Sequence, residues 1–169
     1  ATVPWVPDFY HNTIVGYSYS KSLSLPGERI GYLVIPACTD DHDALVGAAG
    51  VATRILGFVN APSIMQLVIG KCLDLTTDIS YYDRNRNTLY DGLTKLGFEC
   101  MKPEGAFYLF MKSPIEDEKE FVPMAKKYNI LMVPGSTFMC AGFVRIAYCV
   151  SYETVTRSLP GFEKLAKEL

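Results

Sequence analysis

No stretch of this 169-residue chain approaches the roughly 20 consecutive apolar residues that a membrane-crossing helix needs, so no membrane partner is expected. The opening Ala-Thr-Val-Pro-Trp resembles no secretory signal. Positive charge is not in excess: 16 Lys and Arg stand against 18 Asp and Glu, and the basic residues are scattered, which leaves no field for a nucleic-acid backbone. Histidine is scarce, and His11 and His42 lack ligand-like companions, so no metal is expected. The five cysteines, Cys38, Cys72, Cys100, Cys140 and Cys149, form an odd set without a Cys-x-x-Cys pair. Most have apolar neighbours, and they are expected to be reduced, buried packing residues. A cytoplasmic protein is the simplest expectation. The chain opens on Ala1 and not on Met, which suggests that an amino-terminal part of the gene product is missing.

What is present is enough apolar material, 49% of residues, for one sizeable core. Short β-branched or apolar runs predict strands at Thr13–Tyr17 and Gly31–Ile35, with Lys21 on the loop between them and Pro26-Gly27 as a turn. Asp40 and Asp41 can cap a helix reaching about Phe58, and Pro62 suits the first turn of another from Ser63 to about Leu75. The second is apolar nearly all round and should be buried. A third helix, about Asp78 to Leu96, carries Ile79, Tyr82, Leu89, Leu93 and Leu96 on one face and stops at Gly97.

Thereafter short strands alternate with helices: Phe98–Met101, Ala106–Phe110, a helix near Asp117–Tyr128, Ile130–Val133 and Phe143–Cys149, an α+β unit. A helical tail from Ser151 should break or kink at Pro160-Gly161. The change from buried to amphipathic helix near Thr76-Thr77-Asp78 divides the chain into residues 1–76 and 77–169.

The segment Ser18-Tyr-Ser-Lys-Ser-Leu-Ser-Leu-Pro-Gly-Glu-Arg-Ile-Gly-Tyr32 holds the most chemistry. Imine formation needs an amine that is neutral part of the time, a condition favoured by a nearby cation and partial burial. Arg29 could be that cation for Lys21. Hydroxyls beside the lysine, and a guanidinium eight residues on returned by the Pro-Gly turn, can converge on one dianionic phosphate. A second segment sets Arg145 in an otherwise apolar run, Phe143-Val-Arg-Ile-Ala147. On a rigid strand a guanidinium can grip a carboxylate with two parallel hydrogen bonds; the alternative is pairing with a buried structural carboxylate.

The pattern Ser-x-Ser-Lys followed by Gly-x-Arg-Ile-Gly, at Ser18, Ser20, Lys21, Gly27, Arg29, Ile30 and Gly31, resembles the cofactor-lysine signature of class I aminotransferases of pyridoxal-phosphate fold type I. Pro134-Gly-Ser-Thr-Phe138 with the Arg145 strand is similar to a later segment of that family, and Gly105-Ala-Phe-Tyr108 and Pro62-Ser-Ile-Met-Gln66 are weaker likenesses. Phe107 and Tyr108 read as core residues first and substrate contacts second, and Asn60 as a turn residue.

The resemblance implies an α/β fold with an α+β small domain: the truncated end of the cofactor-binding large domain in residues 1–76, then the small domain in 77–169. It implies pyridoxal phosphate as cofactor, Lys21 as the Schiff-base lysine and proton shuttle, Ser18, Ser20 and Arg29 as phosphate ligands, and Arg145 as the grip on the substrate carboxylate. The implied activity is amino-group transfer between an aspartate-like amino acid and a 2-oxo acid, in an enzyme that is a homodimer when intact. The residues that family members place before the lysine, which stack on and bond the cofactor ring, have no counterparts in the twenty residues here, so the chain alone is expected to be inactive. A β-eliminating carbon-sulfur lyase on the same scaffold, or a non-catalytic piece that only self-associates, are the alternatives.

Overall fold

A computed structural model describes residues 3–169; Ala1 and Thr2, which begin the segment read above as no secretory signal, lie outside them. The chain divides into two compact units, Ala1–Thr77 and Asp78–Leu169.

In the first unit, β1 (Val15–Ser18) and β2 (Gly31–Val34) form a two-stranded antiparallel ribbon in which Tyr17 faces Tyr32 and Ser18 faces Gly31. Between them Lys21 stands on a one-turn helix, α1 (Tyr19–Ser22), and not on a loop as expected, because the Ser18 side chain accepts the Ser20 N–H and caps that turn. Helices α2 (His42–Ile55) and α3 (Ser63–Lys71) follow. The aspartates do not cap α2 as anticipated: Asp41 sits at its start with φ +54° and no side-chain cap, while Asp40 is bound to Asn12 through Nδ2 at 2.7 Å. Nor is α3 buried. Only its Ile69 is shielded, while Ile64 and Leu67 are 69% and 71% exposed, since a two-stranded ribbon has too little surface to cover two helices. Within this unit only Ile30, Thr39 and Ile69 are buried among the described residues.

The second unit has a core of its own. Its antiparallel sheet runs in the order β3 (Cys100–Met101), β4 (Tyr108–Lys112), β6 (Phe143–Ala147), β5 (Val133–Pro134), accompanied by α4 (Ile79–Lys95), α5 (Glu118–Lys126) and α6 (Tyr152–Glu168). Alternation along the central strands sends Leu109, Met111, Val144 and Ile146 into a cluster with Leu89 and Leu93 of α4, Phe121 and Ala125 of α5, and Val155, Phe162 and Leu165 of α6. Tyr108, Phe110 and Arg145 therefore stand on the opposite, half-buried face.

Three further expectations need correction. Pro160 does not break the terminal helix, which is continuous through Glu168. A helix-interior proline costs about 3 kcal/mol, but Phe162 and Leu165 beyond it are buried and offset that cost at roughly 1.5–3 kcal/mol each. Ile79, expected on the inner face of α4, is 68% exposed, and Asn85 is fully buried in that helix instead. The cysteines are free thiols, as expected, but none is buried: Cys38 and Cys149 are exposed and the other three half-buried, because their positions fall at turns and strand edges.

Candidate functional site

The first unit gathers polar groups around Lys21. The Ser18 hydroxyl donates to the Ser20 hydroxyl at 2.9 Å, so the two oxygens preceding the lysine are adjacent on one exposed turn. Lys21 itself is exposed in this chain. The ribbon can be this tight only because position 31 is glycine: a Cβ there would lie 2.3 Å from the Tyr17 carbonyl oxygen.

Arg29 takes φ +51°, and its Nη1 donates to the Pro26 carbonyl at 2.9 Å, so the Pro-Gly turn folds the guanidinium back locally and not onto the serines. Ser18 lines a cavity of about 630 Å³ and Arg29 a second of about 710 Å³; both cavities have Gly31, Thr53, Val59 and Asn60 in their walls. Ser18, Thr53, Arg29 and Asn60 border adjoining hollows, the second of which also has Glu28 in its wall, and neither Ser20 nor Lys21 lines either; the donors suit a dianionic phosphate by type but do not converge on one point. Asn60, read from sequence as a turn residue, borders both hollows, and only folding could reveal this.

The second unit places Arg145 in the middle of β6, paired with Phe110 on one side and Val133 on the other. Its guanidinium carbon lies 3.7 Å from the centroid of the Phe138 ring and 4.1 Å from that of Tyr108. Its Nε is buried without a hydrogen-bond partner. No aspartate or glutamate lies within ion-pair distance of it among the described residues. Aromatic stacking uses the faces of a guanidinium and leaves in-plane N–H donors for a ligand. Tyr108, weighed first as a core residue, is thus a wall of the arginine site, and Phe138 is the other; both point away from the core by strand parity or loop geometry.

Behind Arg145 a hydrogen-bonded frame holds the sheet. Asn85 of α4 donates to the carbonyls of Tyr148 at 3.0 Å and Val150 at 2.8 Å, and the Tyr148 hydroxyl donates to the Ala106 carbonyl at 3.0 Å. The end of β6 is thereby fixed to the start of β4, where Tyr108 begins. Burial raises the pKa of the Tyr148 hydroxyl, which remains a neutral donor. Cys100, on the edge strand, is likewise pushed up to about 11 by burial, so it is no nucleophile.

Comparison with known proteins gives the chain a set of relatives. The family model described as aminotransferase class I and II matches residues 6–160. An aspartate aminotransferase of Thermotoga maritima is 29% identical over 147 residues, 86% of this chain and 37% of that protein. An aromatic-amino-acid aminotransferase of Thermococcus litoralis is 30% identical over 94% of this chain and 42% of its own length. The crystal structure of an amino transferase from Eubacterium rectale, 49% identical, superposes with a TM-score of 0.92 over 99% of this chain and 42% of that one. The chain thus spans about two fifths of the length of these relatives.

Proposed function

This chain belongs to the class I and II aminotransferase family, whose cofactor is pyridoxal phosphate, and on that premise we propose that it forms part of an enzyme moving an amino group from an aspartate-like amino acid to a 2-oxo acid. Because the chain covers about two fifths of its relatives, the activity is assigned to the assembled enzyme and not to this polypeptide alone. When bound, pyridoxal phosphate supplies an aldehyde for an amine and a ring that spreads negative charge. The chain supplies the rest. Ser18 and Ser20, with Arg29 across the adjoining hollow, hold the phosphate; Lys21 Nζ anchors the cofactor and then takes the proton from the α-carbon of the amino acid. Arg145 orients the substrate by its carboxylate, so that the bond to be broken is chosen by position.

The observation that carries this reading is Arg145, half-buried against two rings and paired with no carboxylate of its own chain. A cation so placed is prepared for an anion that arrives from outside. The aspartate preference is supported by the name of the Thermotoga maritima relative, and the Thermococcus litoralis relative makes an aromatic amino acid the competing substrate. The residues 1–76 are assigned to the end of the cofactor-binding domain and 77–169 to the small domain. A homodimer is supported by exposed apolar side chains of the first unit, including Ile55, Phe58 and Leu67, which another polypeptide surface would cover. The five free thiols suit the cytoplasm.

The test is steady-state kinetics of the assembled holoenzyme. Arg145→Ala lowers kcat/KM for aspartate by about 100-fold, and Arg145→Lys, which keeps the charge but not the fork, recovers part of it. Unchanged kcat/KM in Arg145→Ala would refute the assignment, and a preference for phenylalanine over aspartate in the unaltered enzyme would overturn the substrate class.

A further inference from the structure

We propose that Glu118 is a positioning residue for carboxylate recognition: its buried carboxylate fixes loop 135–142 so that Phe138 stays against the Arg145 guanidinium. The inference rests on the substrate role proposed for Arg145, and it adds a residue more than twenty positions away that touches neither substrate nor cofactor.

Glu118 is the first residue of α5 and only 5% exposed, yet no lysine, arginine or histidine pairs with it among the described residues. A buried carboxylate without a counter-ion survives only if hydrogen bonds replace its water. Gly142 N–H donates to Oε2 at 3.1 Å, and Ser136, at the other end of the same loop, together with Glu118's own N–H, lowers the carboxyl's pKa. The second oxygen, Oε1, has no partner of full hydrogen-bond geometry. These bonds, the Ser136 hydroxyl foremost, hold the Glu118 carboxyl below the usual carboxylate range, so it stays an acceptor at neutral pH.

Ser136 and Gly142 are the two ends of the loop, and Phe138 lies between them. The loop is closed upon itself: Cys140 N–H donates to the Gly135 carbonyl at 2.9 Å, and a Cβ at position 135 would lie 2.2 Å from the Cys140 oxygen and 2.6 Å from that of Phe143. Met139 at φ +57° and Gly142 at φ +79° complete the turn. Phe138 is 39% exposed and also meets the edge of Phe110, at 6.5 Å between centroids. Its placement follows the loop backbone, which the Glu118 carboxylate holds by a hydrogen bond at Gly142 and adjoins at Ser136. A glutamine there keeps an oxygen for the Gly142 N–H but loses the negative charge that strengthens the carboxylate's hold on the loop.

The experiment combines two readouts. In NMR spectra of the full 169-residue chain, the Arg145 side-chain protons carry an upfield ring-current shift from Phe138, which Phe138→Ala removes and Glu118→Gln reduces. In the assembled holoenzyme, Glu118→Gln raises KM for aspartate about tenfold with kcat within about twofold, the size expected from weakening one cation–π contact of a partly desolvated arginine. In the double variant with Phe138→Ala the two effects do not add, since both act through the same ring. Ser136→Ala, which removes one donor and leaves the charge in place, shows the same pattern at smaller size and carries the test if Glu118→Gln does not fold. An unchanged Arg145 signal in Glu118→Gln, or additive effects in the double variant, overturns the proposal. If Arg145→Ala itself leaves KM unaltered, it is the carboxylate role of Arg145 that fails.

Discussion

At the scale of single residues, what distinguishes the site is how polar groups are satisfied. Arg145 is left with unused donors, whereas Asn85 uses both amide hydrogens on backbone carbonyls at the end of β6. Removing the Asn85 amide strands the Tyr148 carbonyl, since that of Val150 keeps the Tyr81 hydroxyl at 2.8 Å, and a buried acceptor that loses its donor costs about 1–3 kcal/mol. Asn85→Ala is therefore expected to lower the stability of the second unit by roughly 1–3 kcal/mol, read as a fall in the urea midpoint. A midpoint within error of the unaltered chain would show that the frame behind Arg145 is not held by this residue.

Among the elements, four carboxylates of the second unit share one electrostatic direction. Asp78 caps α4 and is lowered by its bond from the Ser80 hydroxyl; Glu118 is lowered by the Ser136 hydroxyl; Glu168, at the end of α6, is lowered by the Tyr128 hydroxyl and then Lys127; Glu163 is lowered by Lys167. Each is more acidic folded than unfolded, so its contribution is fully present above the unfolded value and disappears as pH falls through the folded one. Thermal melts of the chain should be flat from pH 7 to about 5 and decline below about 4.5, the ordinary glutamate value. A melting temperature that holds steady to pH 3 would contradict this.

Elements also show where sequence is a sufficient guide. Strands β2 and β6 and the helices α2, α4 and α5 lie close to their expected positions: β6 alternates with a two-residue period, α4 and α5 start at capping aspartates, and α2 carries a 3.6-residue apolar repeat. Lys21, Ser18 and Ser20 could be grouped from their adjacency alone. Tyr108 and Phe138 could not be joined to Arg145, because which face of a strand is covered depends on helices distant in sequence. The same reason misplaced Pro160: local propensity favours a break, and packing of Phe162 and Leu165 overrides it. Exposure of α3 was invisible for the opposite reason, an apolar helix having no partner within its own unit.

For the molecule as a whole, the two units contrast in how complete they are. Residues 78–169 bury a contiguous core of strands and helices, while the first unit buries three of its described residues and exposes Ile55, Phe58, Ile64 and Leu67. The described helices include none long and apolar enough to cross a membrane. With the chain spanning about two fifths of its relatives, the first unit is the part whose surface and chemistry depend most on what surrounds it in the assembled enzyme. The account stands on Lys21 as the cofactor anchor. Borohydride reduction of the assembled holoenzyme loaded with pyridoxal phosphate, followed by peptide mass spectrometry, measures this directly: the account predicts a single stoichiometric pyridoxyl label on Lys21, and a label on any other lysine, or one spread over many, would contradict it.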